Sequence, residues 1–305
     1  MLPKLPHFEP LDVNLREKLS PYFALARRPI CDLSFANLCI WRDCENATYT
    51  FIDGHLCIYM QPHEKPAYFL EPLGQGSVLN AATQCLRHAE RISHASEALA
   101  HEMPQERFQV TPLRDHFDYF YRLEDLAELK GSKHDGKRNQ IKKFIRNTPG
   151  HQLVPLADHH IHQVRELFER WAQQRSENGP NSGNGAIPID STLCQLHALK
   201  RAFTDFQSLG LRGLAVCIQN KMLGFILGSP LNTETAVIHF MYADSSLRGI
   251  YQFLLQEACR TIFSAYPLIN LEEDLGISGL RRTKMSYNPL RLEKKFLITP
   301  RTSSH

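Results

Sequence analysis

The stretch GLAVCIQNKMLGFILGSPLNTETAVIHFMYADSS, residues 213–246, decides the fold. Its three apolar runs, GLAVCIQ, MLGFILGSPL and AVIHFMYADSS, are separated only by the polar turns NK and NTET. Runs of this length and composition predict three successive strands. Downstream, GIYQFLLQEACRTIFSA predicts a helix, PLINLEED a strand, and a short helix leads into a last strand, RLEKKFLI. Upstream, HIHQVRELFERWAQQR carries Val164, Leu167, Phe168 and Trp171 on one stripe, and TLCQLHALKRAFTDF predicts a second helix. Residues 160–298 therefore read α-α-β-β-β-α-β-α-β, an α/β (α+β) order with a mixed, mostly antiparallel sheet flanked by helices.

The first half looks like a shorter copy. A helix over CDLSFANLCIWRD precedes TYTFID and HLCIYM, two strands meeting at Asp53-Gly54, a hairpin signal. AYFLEPLG supplies a third strand, and SVLNAATQCLRHAERI has apolar residues at helical spacing, while FQVTPL and DYFYRL are later strands. At 305 residues, two domains are expected. The expected boundaries are 1–129 for the first, 130–150 for a basic linker helix, and 151–305 for the second, which carries the active cleft.

Hydrophobic residues at 43% and charged residues at 22% exclude wholesale disorder. Every apolar run is cut by charges, Pro or Gly before membrane-spanning length, and the amino end MLPKLPHFEPLD lacks the apolar stretch of a signal peptide. A soluble, cytoplasmic protein is expected. None of the eight cysteines falls in a C-x-x-C pair, so they read as buried free thiols. The net charge of +3 is uneven: residues 130–147 carry +6 and residues 281–295 carry +5, leaving −8 on the rest.

Chemistry concentrates in INLEEDLGISGLRRTKMSYNP, residues 269–289. Read as a strand, INLEED places Asn270, Glu272 and Asp274 on one side. Two carboxylates in one cleft can split their pKa values, equipping one to take a proton from an attacking amine; the alternative is a solvated strand end paired with Arg281 and Arg282. Gly276 and Gly279 precede Arg281 and Lys284, which face one way and suit a phosphate or a leaving alkoxide as well as they suit an ion-rich surface turn. Tyr287 is either a proton donor or a packed ring. In KRNQIKKFIRN, Arg138, Lys142 and Arg146 form a basic face opposite an apolar stripe of Ile141, Phe144 and Ile145. Such a face tracks phosphates or is simply solvated. The loop RSENGPNSGNGAIPID reads as a mobile lid or as a connection without function. His159, His160 and His162 read as a polar helix start, and no metal site is expected. No nucleophile motif indicates covalent catalysis.

The order of elements resembles tandem GNAT acyltransferase domains. SFANLCIWR, DYFYRLEDLAELKGSKHDGKRNQIKKF and NLEEDLGISGLRRTKMSYNP together resemble bacterial proteins related to the C-terminal domain of phosphatidylglycerol lysyltransferase, over about residues 30–298. The resemblance implies a tandem GNAT fold shared with Fem-type aminoacyltransferases, which move an amino acid from aminoacyl-tRNA to a lipid hydroxyl or an amine. By position its pattern covers Lys133, Lys137, Arg138, Asn139, Glu272, Asp274, Gly276, Gly279, Arg281, Lys284 and Tyr287.

On this reading Glu272, Asp274, Arg281, Lys284 and Tyr287 are the candidate catalytic residues. Lys133, Lys137, Arg138, Asn139, Lys142, Asn270, Gly276 and Gly279 are candidates for binding the donor or substrate. Aminoacyl-tRNA is the expected donor, a lipid or small molecule the acceptor, peripheral membrane contact is compatible with the chain, and no tightly bound cofactor is expected. A second reading is acyl-CoA-dependent transfer. In ADSSLRGIYQF, where a pyrophosphate loop would lie, only Arg248 and Gly249 keep the usual basic and glycine pattern. The third reading is a non-catalytic module that binds RNA or anionic surfaces through the two basic segments.

Overall fold

The computed structural model describes residues 2–26, 29–63, 65–177 and 189–301. The chain divides into two compact units, one of residues up to Asp118 together with Glu293 onward, the other Tyr119–Leu292.

In the first unit the chain runs β1 (Glu9–Pro10), α1 (Arg16–Phe23), α2 (Phe35–Glu45), β2 (Thr48–Ile52), β3 (His55–Met60), β4 (Tyr68–Phe69), α3 (Leu79–Ala89), β5 (Ile92–Ser96), α4 (Glu97–Glu102) and β6 (Phe108–Pro112). The second unit holds β7 (Asp118–Arg122), α5 (Leu123–Glu128), α6 (Asp135–Asn147), β8 (Gln152–Pro155), α7 (Ile161–Glu177), α8 (Ile189–Thr204), β9 (Arg212–Ile218), β10 (Lys221–Pro230), β11 (Thr235–Ala243), α9 (Ile250–Arg260), β12 (Leu268–Asn270), α10 (Ser278–Met285) and β13 (Arg291–Glu293). A last strand, β14 (Lys295–Pro300), belongs to the first unit.

The two seven-stranded sheets have the orders β1-β2-β3-β4-β5-β14-β6 and β13-β7-β12-β11-β10-β9-β8. Both are mixed and mostly antiparallel, the parallel pairs being β4–β5 and β11–β12. This is the expected α/β (α+β) class, two mixed, mostly antiparallel sheets with helices. The β2–β3 hairpin turns at Asp53-Gly54 with both residues at positive φ, as Asp-Gly in a type I′ turn requires. The β9–β10 turn does the same with Gln219 and Asn220.

The expected boundaries differ from this division in two places. DYFYR, counted by order with the first half, is β7 and pairs antiparallel with β12 through Tyr121–Ile269. RLEKKFLI is not one strand: it breaks at Lys294, and its second part pairs with both β5 and β6. Strand partners follow buried faces, not sequence order. Residues 130–150, expected as a basic linker helix, fall within the second unit, where Ile141 and Phe144 on α6 enter the core and Phe144 packs on Phe253 at 5.0 Å. Ile145, expected in that stripe, is exposed.

Cys31, Cys39, Cys57, Cys85, Cys217 and Cys259 are buried free thiols. Cys44 and Cys194 are not among them, which corrects the expectation for those two. Among the described residues no helix is long and apolar enough to cross a membrane.

Candidate functional site

The site grows from the place where β11 and β12 part. Their parallel pairing stops at Val237–Asn270, while β11 continues to Ala243. Just past that point β11 bulges: Leu227 faces Phe240 and Gly228 faces Ile238, so His239 is the extra residue. A bulge re-aims the side chain it carries. The approach of the strands there needs glycine, since a Cβ on Gly228 would sit 2.2 Å from the Val237 carbonyl oxygen.

His239 Nδ1 lies 3.1 Å from Glu272 Oε1, and its Nε2 lies 2.9 Å from Ser229 Oγ on β10. Glu272 reaches this position through an unusual backbone. Its φ is +56°, its N–H donates to Asn270 Oδ1 at 2.7 Å, and its carbonyl accepts from Tyr119 N at 3.2 Å. A left-handed residue with a side chain costs about 1–2 kcal/mol, which the two backbone bonds offset.

The predicted alternation therefore fails. The strand ends at Asn270, and Glu272 and Asp274 serve different partners. Asp274 is fully buried; it accepts from Tyr119 OH (2.6 Å), Arg281 Nε (2.9 Å), Arg281 Nη2 (2.7 Å) and Gly276 N (2.9 Å). Burial works to raise its pKa, but the Arg281, Tyr119 and Gly276 hydrogen bonds outweigh it and hold the carboxyl well below the usual range. A carboxylate so held is a poor base.

Arg281 is thereby engaged in a bidentate pair, not open to phosphate. Lys284 Nζ donates to the Leu271 and Glu273 carbonyls, which closes the strand end. Tyr287 is a packed ring, edge-on to Tyr121 at 6.4 Å, and burial pushes its phenol above the ordinary value, making it a weaker proton donor. Lys137 donates to Ser286 and lies over the Tyr287 ring at 4.3 Å. Arg138 donates to the Leu129 and Gly131 carbonyls and pairs with Asp135, fastening the turn between α5 and α6. Asn270 is buried in its turn, Gly276 lies in the exposed turn with φ +72°, and Gly279 lies in α10. Lys133, Asn139 and Lys142 are exposed, joined along α6 by Lys143 and Arg146. The predicted lid is centred on residues 178–188, outside the described ones.

The start of α9 is shaped for packing. Gly249 caps it at φ +100°, and a Cβ there would meet the Gln140 carbonyl oxygen of α6 at 2.1 Å. In the turn ahead, Asp244 accepts from Ser246 N at 3.0 Å and from Ser246 Oγ at 2.6 Å. Arg248 is exposed. We expect Gly249→Ala to destabilise the second unit by about 2–4 kcal/mol, combining the left-handed cost with the collision. Chemical denaturation measures this; a loss below about 1 kcal/mol would show that α6 can move aside.

Sequence reasoning missed Ser229 and His239. The available signal was a polar residue inside each of two otherwise apolar strands.

Comparison with known proteins extends the picture. A structure of a conserved protein of unknown function from Bacteroides thetaiotaomicron VPI-5482 matches with TM-score 0.85 and 29% identity, covering 99% of this chain and 100% of that one. The structure of L-PGS from Bacillus licheniformis matches with TM-score 0.63 and 15% identity, covering 97% and 94%, and so shares the fold. "Uncharacterized protein MYCGA3080" of Mycoplasmoides gallisepticum is 22% identical over 182 residues, and the chain spans about half the length of this curated relative, 55%. The family pattern described as "Phosphatidylglycerol lysyltransferase, C-terminal" matches residues 23–299. The chain belongs to the family of the phosphatidylglycerol lysyltransferase C-terminal domain.

Proposed function

We propose that this protein is a cytoplasmic acyltransferase that moves an aminoacyl group from aminoacyl-tRNA to a lipid hydroxyl or a small-molecule amine. The observation that carries the reading is Glu272, a partly exposed carboxylate held where the sheet opens, in a chain of this family. Glu272 takes the proton of the acceptor hydroxyl or amine as its oxygen or nitrogen bonds to the ester carbonyl carbon. The ester C–O bond then breaks, and the proton returns to the leaving ribose oxygen. Asp274, Arg281 and Lys284 brace the turn that carries Glu272, Tyr287 packs against Tyr121, and none of them touches the proton.

The exposed cations Lys133, Lys142, Lys143 and Arg146 hold the donor's phosphates. Lys142→Glu with Arg146→Glu should weaken aminoacyl-tRNA binding about tenfold or more and lower the salt slope of log Kd by about one per lost contact. Filter binding across a salt series reads both; an unchanged slope would move the donor off α6.

Acyl-CoA as donor is disfavoured by the close packing of Gln140 on Gly249 and by the self-closed turn at Asp244. The deciding experiment is transfer of label from a mixed pool of radiolabelled aminoacyl-tRNAs to extracted lipids and small amines. Labelled product with the wild-type protein supports the reading. No label, with saturable binding of acetyl-CoA, would overturn it.

A further inference from the structure

Ser229, His239 and Glu272 are the residue types of a nucleophilic triad, with Nε2 toward the hydroxyl and Nδ1 toward the carboxylate. Their exposure runs the opposite way. Ser229 is 0% exposed, and the His239 and Glu272 side chains are 0% and 20% exposed. In a nucleophilic triad the hydroxyl meets substrate and the acid lies behind. Here the acid faces outward and the hydroxyl is innermost, so substrate meets Glu272, not Ser229.

The bond directions follow from what each group can do. An ionised carboxylate only accepts, so Nδ1 carries the hydrogen toward Glu272. In the neutral ring Nε2 is then an acceptor, and the Ser229 hydroxyl donates to it at 2.9 Å in preference to the Pro230 carbonyl oxygen at 3.4 Å. The alternative tautomer would set the Nδ1 lone pair against a carboxylate. Two costs in the backbone converge on this line: the bulge that aims His239, and the left-handed φ that aims Glu272. Both are hard to account for by packing alone, since a straight strand and an extended Glu272 would retain the sheet.

We infer that His239 is a positioning residue for Glu272, with the ring tautomer set by the Glu272 carboxylate and the Ser229 hydroxyl satisfying the bare Nε2. Nδ1–H holds one carboxylate oxygen and thereby sets the direction in which the carboxylate meets an acceptor. The kinetic consequence rests on the aminoacyl-transfer reading, but the bond pattern does not.

Two measurements on the full chain separate these. Nitrogen-15 NMR of histidine-labelled protein, well above the ordinary histidine pKa, should show His239 with Nδ1 protonated and Nε2 bare. Glu272→Gln should move the Nδ1 resonance, and Ser229→Ala should move the Nε2 resonance, which loses its donor, while Nδ1 stays protonated. A wild-type ring protonated at Nε2 overturns the inference, and an Nε2 resonance unmoved in Ser229→Ala removes Ser229 from it. In the transfer assay His239→Leu should lower kcat about ten- to hundredfold with donor KM unchanged. His239→Asn, whose amide nitrogen takes the place of Nδ1, should restore most of it. An unchanged kcat in a folded His239→Leu, or no rescue by Asn, would also sink the inference. If the wild type moves no aminoacyl group, the functional reading fails and the tautomer alone decides.

Discussion

Glu272→Gln should lower kcat for aminoacyl transfer by about 10²- to 10⁴-fold, equivalent to about 3–5 kcal/mol of transition-state stabilisation, while donor affinity stays put. Gln keeps the volume and one acceptor oxygen, so the left-handed backbone and the contact with His239 survive. What it loses is the ability to take a proton. Asp274→Asn should behave differently. Its carboxylate is buried under four donors, and an amide can satisfy only part of them, so the loss should appear first as stability. Steady-state kinetics beside urea denaturation separates the two variants. Normal turnover in Glu272→Gln would remove Glu272 as the base.

Lys295→Met should lower the stability of the first unit by about 3–5 kcal/mol. The Lys295 ammonium is fully buried, 2.5 Å from Asp32 Oδ2, 2.8 Å from Asp118 Oδ1 and 3.4 Å from Cys31 Sγ. Met fills a similar volume but leaves two carboxylates without their cation. The pH dependence gives a second readout. Burial works to raise the Asp32 pKa, yet Lys295 and His94 outweigh it and hold the carboxyl well below the ordinary range. A depressed folded value means stability fully present above the unfolded carboxyl pKa of about 3.9 and lost as pH falls toward the folded one. That acid limb should flatten in Lys295→Met. A loss under about 1 kcal/mol would show that this cluster does not anchor β14.

Much of the fold was legible because its signals are local. Asp53-Gly54 and the polar turn before Lys221 mark hairpins that need no distant partner, and the apolar stripes of α3 and α7 show their period within a few turns. The exchange of β7 and β14 was not legible, because pairing partners far apart in the chain leave no mark within either strand. At the site, Glu272 was found but its geometry misread. Alternation assumes extended backbone, and neither the positive φ of Glu272 nor the bulge at His239 has a glycine to announce it. Arg281 and Lys284 stood out as charges, and the structure spends them on Asp274 and on two carbonyls.

The position of β14 also bears on how the protein comes to be. In the first sheet it lies between β5 and β6, yet it is synthesised after the whole of the second unit. As the chain leaves the ribosome, Tyr119–Leu292 is contiguous and can settle early, whereas the first sheet must wait with an open slot. Until residues 295–300 arrive, β5 and β6 each present an unpaired edge, the kind of surface on which chaperones and misassembly compete. The unit that begins first is the one that finishes last.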